Sequence, residues 1–269
     1  GINAEYGDIG MKICLVNDDG YDAVGIQTLI EVLYKDHEIF IIAPKRHQSG
    51  ASQSISLKTE MTIEPYNDKR CQGYVIDGRP ADCVIFGLAM AQKENFIPDL
   101  IISGINVGCN LGRDVFYSGT FGAAREAFFQ GFNAVAMSNM YINEPIDKQV
   151  KRLGQFIKQT IQIAVQNNKK SILNVNFPIA EVKGFQKASI IDQKSLYALK
   201  GQWDNKDGKI TVTQDNVLQN GWKLLENEPF QPNSDISLCK EGWIVLSYFN
   251  PQMMLHEGDY DVKELKISE

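Results

Sequence analysis

Histidine is scarce in this chain: only His37, His47 and His256 occur among 269 residues, which argues against a metal centre built on several imidazoles. The five cysteines, Cys14, Cys71, Cys83, Cys109 and Cys239, are odd in number and form no CxxC pair. They read as free, mostly buried thiols and exclude a disulfide framework. No run approaches the roughly 18 consecutive apolar residues of a membrane span. No basic start followed by an apolar core and a cleavage site marks secretion. The expected compartment is the cytoplasm, with no membrane partner. GxxxxGK[ST] and GxSxG are missing, and the spacing of Gly104, Gly108 and Gly112 is not GxGxxG, which removes the common phosphate-loop, hydrolase-elbow and dinucleotide readings. A basic stripe is missing too: the formal charge is −6, so no nucleic-acid polymer is expected as partner. A small anionic substrate needs local cations or a metal.

What is present is an ordinary globular composition, 43% hydrophobic and 22% charged, consistent with one large domain, or one domain plus an extension. Residues 1–10 carry no apolar periodicity and read as a cloning remnant before Met11; leaving out Glu5 and Asp8 moves the formal charge from −6 to −4. From Met11 onward, apolar runs alternate with helical patterns. Strands are expected at Lys12 to Val16, Glu38 to Ala43, Gly73 to Ile76, Leu100 to Ser103, Ala134 to Met137 and Ile172 to Val175. Helical spacing appears in Ile26, Leu29, Ile30 and Leu33, and in Val150, Leu153, Ile157, Ile161 and Ala164. This is the pattern of an α/β doubly wound, mostly parallel sheet over 11–180. Beyond Pro178 the pattern changes. Ala188 to Ile191 and Lys209 to Thr213 flank the turn-rich Asp204 to Gly208 and suggest a β-hairpin extension over 181–269, with Trp243 to Phe249 as a late strand. Such an extension must bury its apolar side chains, and a second subunit is a natural place.

The chemistry concentrates where the strands end. Asp18 and Asp19, in KICLVNDDG, are adjacent acids at the carboxyl end of the first strand, the edge where open α/β sheets bind ligands. Like charges that close are costly without a partner cation. Three further segments converge there if the strands run parallel. One is the loop Ala43 to Ser52; another is SGINVGCNLGRDV (Ser103 to Val115), rich in amides through Asn106 and Asn110; the last is Tyr117-Ser118-Gly119-Thr120, which opens a helix. Serine or threonine at a helix start caps it, and the free amides suit a phosphate. Asp, Asn and Ser oxygens suit magnesium, manganese or calcium more than zinc. Metal-assisted attack of water on a phosphoryl group is the economical reading. His47 is a possible general acid but reads as an exposed loop residue, while Arg79 and Arg113 read as anion guides or plain surface, and Phe116 and Tyr117 as a base-stacking pair or as packing.

Through NDDGYDAVGIQTL, APKRHQSGASQSISL, RPADCVIFGL and SGINVGCNLGRDVFYSGTFGAAREA the chain resembles the SurE family of survival-protein nucleotidases, from about Met11 to Pro178, and more weakly from Asn233 to Ser247. The resemblance implies a Rossmann-like core, a C-terminal arm or hairpin that builds a homodimer or homotetramer, and one divalent ion per subunit, magnesium or manganese. It implies metal ligation by Asp18, Asp19, Ser49 and Asn106, catalysis through Asp18, Asp19 and Asn106, and phosphate contacts at Asn110, Ser118, Gly119 and Thr120. The implied activity is hydrolysis of nucleoside 5′- and 3′-monophosphates, with short polyphosphate degraded by some members. The alternative from a different class is a nucleotide or phosphate sensor that uses the same cradle without hydrolysis. Arg79 stands where the family usually has a small hydroxyl residue, and LSYFNPQMM replaces the usual C-terminal strand.

Overall fold

The computed structural model describes residues 10–140, 144–169, 171–179, 181–195, 201–214 and 229–250. The expected remnant over 1–10, save Gly10, and the residues after Asn250 where an arm is expected lie outside the described residues.

A nine-stranded sheet runs in the order β3-β4-β2-β1-β5-β6-β7-β11-β8. The strands are β1 (Lys12–Val16), β2 (Glu38–Pro44), β3 (Ile63–Asn67), β4 (Gln72–Ile76), β5 (Leu100–Val107), β6 (Ala134–Asn139), β7 (Ile172–Phe177), β8 (Gly184–Lys187) and β11 (Trp243–Phe249). From β4 through β7 every pairing is parallel; β3 joins β4 and β11 joins β7 antiparallel. All six expected strands of the core are present. Most run one or two residues further than their apolar stretches, and β5 reaches Val107 because its backbone continues through a register shift between Ser103 and Asn106.

Helices α1 (Val24–Leu33) and α4 (Ile146–Asn167) cover one face, α2 (Pro80–Lys93) and α3 (Gly119–Phe129) the other. The expected stripes are the buried ones: Ile26, Leu29, Ile30 and Leu33 of α1 and Leu153, Ile157, Ile161 and Ala164 of α4 pack on Ile13, Leu15, Ile41 and Ile102. The opposite face packs Ala123, Ala124 and Ala127 of α3 and Val84 and Leu88 of α2 against Cys14, Val16, Ile42 and Ile101. Small residues on α3 let that helix approach the sheet closely. All five cysteines are buried thiols. Among the described residues no helix is long and apolar enough to cross a membrane.

The chain reverses its direction of winding at β1: β2 lies on one side and β5 on the other. Such a switch point opens a crevice at the strands' carboxyl ends, and Asp18, Asp19 and Asn106 all sit there.

Past Pro178 the hairpin exists but with a different first arm. β9 (Gly201–Lys206) pairs antiparallel with β10 (Lys209–Gln214). Asp207 and Gly208 between them have φ of 53° and 73°, the two positive values of a tight two-residue hairpin turn. Ala188 to Ile191, expected as one arm, is instead captured by the segment before α5 (Asp235–Lys240): Ser189 N–H donates to Asn233 O at 3.1 Å and Asp235 N–H to Ile190 O at 3.2 Å. Trp243 to Phe249 is a strand as expected, and it extends the main sheet.

Candidate active site

The aspartate turn is built locally. The Asn17 side chain staples it, donating through Nδ2 to Gly20 O at 2.7 Å and accepting Gly20 N–H at 3.2 Å. Asp18 is buried at 3% exposure. Its Oδ1 accepts the Thr120 hydroxyl at 2.6 Å, and its backbone carbonyl accepts Gln48 N–H at 2.7 Å. Gly119 lies directly over it: a Cβ at that position would come within 2.9 Å of Asp18 Cβ, so only glycine lets α3 begin this close.

Asp19 faces the other way. Its Oδ2 accepts the backbone N–H of Val107 at 3.2 Å, which fixes it beside Asn106. Its Oδ1 lies 3.1 Å from His47 Nδ1, and His47 Nε2 is 2.7 Å from Ser49 Oγ. Asn106 is buried and donates through Nδ2 to Gly108 O at 2.6 Å. Among the described residues nothing donates to its Oδ1. Three of the four expected metal ligands, Asp19, Ser49 and Asn106, are thus linked through His47 and Val107, and the fourth, Asp18, is next in sequence. His47 is exposed, as its sequence context suggests, yet it is bonded on both ring nitrogens.

Burial pushes the Asp18 carboxyl up to about 7, with the neighbouring Asp19 charge adding to the rise and the Thr120 hydrogen bond opposing it. Asp19 is raised as well, by desolvation first. Among the described residues His47 is the one ion-pair partner of either acid. A buried carboxylate pair of this kind is unfavourable until a cation arrives. No group of three or more His, Cys, Asp or Glu side chains that could hold a metal ion occurs among the described residues. The available set is two carboxylates with hydroxyl and amide oxygens, a donor set that fits a hard divalent ion.

The expected phosphate contacts divide into two groups. Ser118 caps α3, its Oγ accepting Phe121 N–H at 3.0 Å. The N–H groups of Gly119 and Thr120 then stand in the first turn with no intrahelical partner, beside Asp18. Asn110 is set further back. Its Nδ2 donates to Ser138 Oγ at 2.9 Å, its N–H donates to Asn176 Oδ1 at 2.8 Å, and its carbonyl accepts from Asn174 and Asn176 at 3.0 and 3.1 Å. Arg79, Arg113, Phe116 and Tyr117 are exposed.

Sequence reasoning missed the strap that holds the Ser49 loop. Asp82, 1% exposed, accepts Ser56 Oγ at 2.7 Å, Ser56 N–H at 3.0 Å and Arg79 N–H at 2.9 Å. Ser52 donates from its N–H to Tyr117 O at 3.0 Å and from its hydroxyl to Phe116 O at 2.8 Å. Gly122 permits this path, because a Cβ there would lie 2.1 Å from Ser52 O. The signal was available for Asp82 alone: an acid at the third position of a helix opened by Pro80 is a capping arrangement.

The family model described as Survival protein SurE matches residues 13–196. A 5′-nucleotidase SurE of Campylobacter jejuni (strain RM1221) is 33% identical over 264 residues, spanning 94% of this chain and 96% of the relative. A 5′-nucleotidase SurE of Ehrlichia ruminantium (strain Gardel) is 30% identical over 94% of this chain and 97% of its own length. The crystal structure of the SurE protein from Aquifex aeolicus superposes with a TM-score of 0.70 at 26% identity, covering 94% of this chain and 96% of that one.

Proposed function

The chain belongs to the SurE family, and from that membership we propose that it is a cytoplasmic, homo-oligomeric, metal-dependent phosphatase that hydrolyses nucleoside 5′- and 3′-monophosphates to nucleoside and phosphate. The observation that carries the reading is the pair Asp18, buried, and Asp19, largely so, set against the unpartnered N–H groups in the first turn of α3. One side of this arrangement asks for a cation and the other for an anion, and a phosphate ester with a divalent ion supplies both.

Asp18, Asp19, Ser49 and Asn106 would hold the ion, magnesium or manganese. When bound, such an ion polarises a phosphoryl oxygen and lowers the pKa of water. Thr120 fixes the Asp18 carboxylate by donating to Oδ1, while Val107 N–H and His47 fix Asp19 from both sides. The Gly119 and Thr120 N–H groups, at the positive end of the α3 dipole, receive the equatorial phosphoryl oxygens and oppose the charge that grows on them. Ser118 keeps that turn in shape by capping Phe121. Hydrogen bonds from Ser52 to the Phe116 and Tyr117 carbonyls tie the Ser49 loop to the segment that leads into α3.

The test is phosphate release from a panel of 5′- and 3′-monophosphates and short polyphosphate, each with magnesium, manganese or EDTA. Release with either metal and silence with EDTA supports the reading. Silence throughout, with nucleotide still bound, favours the non-hydrolysing sensor.

A further inference from the structure

The glycine-rich loop after β5 is held from a distant part of the chain. Asp235, the first residue of α5, is 1% exposed. Its Oδ2 accepts Gly112 N–H at 2.6 Å, and its Oδ1 accepts Asp192 N–H and Ile236 N–H at 2.9 Å each. One buried carboxylate therefore ties together three segments. Around this bond the chain from Asp192 to Ser195 lies flat against the loop: Arg113 N–H donates to Lys194 O at 3.1 Å, and the Ser195 hydroxyl donates to Asp114. Gly112 adopts φ of +56°, and a Cβ there would sit 2.3 Å from Lys194 O. Cys109 and Leu111 of the loop share an apolar cluster with Ile236, Leu238 and Cys239 of α5.

What the clamp holds is the path between two parts of the cradle. Asn110 lies two residues before Gly112, and the short 3-10 turn Gly112–Phe116 leads into the Ser118 cap of α3. We propose that Asp235 is a positioning residue for phosphate binding: through Gly112 it sets the loop from Asn110 to Ser118 without touching substrate. The proposal rests on the phosphatase reading above.

The experiment uses the full-length chain and its Asp235→Asn and Ser195→Ala variants, assayed well below their melting transitions. Asp235→Asn keeps the side-chain volume but turns a donor toward backbone N–H groups. In that variant KM for a monophosphate and Ki for inorganic phosphate should both rise by about tenfold, the scale of one buried charge-assisted hydrogen bond. Over the same change kcat should move by less than about threefold, as expected when a binding contact is displaced and the chemistry is not. The manganese midpoint should stay within about twofold, because Asp18 and Asp19 are held by other bonds. Ser195→Ala, which removes the tie to Asp114, should raise KM in the same direction by less. A lowered melting temperature with KM and Ki unchanged makes Asp235 a structural anchor only and overturns the proposal. If Asp235→Asn does not fold, Ser195→Ala decides alone, and an unchanged KM overturns it. Should the wild-type chain release no phosphate from any monophosphate, the proposed function falls by itself, and amide hydrogen exchange decides the clamp. Faster exchange from Asn110 to Ser118 together with weaker binding of inorganic phosphate in Asp235→Asn then sustains it, and unchanged exchange or unchanged phosphate binding overturns it.

Discussion

The aspartate turn and the glycine-rich loop reach the same sheet edge, yet they are supported in opposite ways. Asp18 and Asp19 are placed by the end of β1, by the Asn17 staple and by two neighbouring elements that each contribute a bond, Thr120 of α3 and Val107 of β5. Asp18 is buried and Asp19 largely so, and desolvation disfavours the charge of both. Asn110 and Gly112 are placed by Asn174, Asn176, Ser138, Asp192 and Asp235, residues spread over β6, β7 and everything beyond. There each of these bonds is made within the protein, while Asn174 Oδ1 is buried without a partner among the described residues. The first region holds stored unfavourable charge and the second is held by hydrogen bonds within the protein, so substitution should lower turnover in the first and lower stability and phosphate affinity, with little change in turnover, in the second.

Four substitutions or conditions sharpen that contrast. Asp18→Asn should lower phosphate release by about 10³-fold or more, on the scale of deleting a principal catalytic group, while thermal unfolding followed by circular dichroism shows a fold as stable as the parent or more so. A marked loss of stability would place Asp18 with the second region. Thr120→Val removes the donor to Asp18 while keeping shape; kcat/KM should fall roughly tenfold to a hundredfold, the range for a lost hydrogen bond to a charged group, and Thr120→Ser should recover most of it. In the loop, Asn176→Ala removes two bonds to the Asn110 backbone and should cost about 1–3 kcal/mol in denaturant unfolding, with kcat changed far less than in either variant above. If its kcat collapses while stability holds, the division between the regions fails.

The last expected effect is one of pH, and it acts on stability and not on turnover. Because the folded Asp18 carboxyl lies near 7 against an ordinary 3.8, the folded state binds the extra proton. Its contribution to stability is fully present below the ordinary value and is lost as pH rises toward 7. The melting temperature of chelator-treated protein should therefore drop relative to Asp18→Asn across that window, and added manganese should restore it at neutral pH. A gap between the two proteins that stays constant with pH removes the argument.

Legibility in the sequence follows the same division. The strands β1, β2, β4, β5, β6 and β7 and the buried stripes of α1 and α4 are periodic, local signals, and each is where its apolar pattern puts it. The pairing of Asp18 with Asp19 is written in two adjacent letters, and Ser118 as a cap follows from its place before a helix. Asp82 was legible as a helix cap but not as the anchor of Ser56, and Asp235 not as the anchor of Gly112 and Asp192, because a bond to a segment tens of residues away leaves no pattern around the acid. Ala188 to Ile191 failed for a related reason: its β-prone residues are used by a single bridge to the segment before α5, and local propensity cannot tell that partner from a hairpin strand. β3 was missed because it is a largely exposed edge strand with a proline inside it.

The Asp235 carboxylate also bears on the order in which the molecule matures. Ribosomes release the amino-terminal end first, so β1 through β7, with the helices that cover them, can collapse while α5 is still being made. At that stage the paired acids are in place but Gly112 lacks its anchor, and β11 has yet to cover the outer edge of β7. Nascent chains of this protein are thus expected to be native in most of their sheet and to bind phosphate weakly until α5 has emerged and docked.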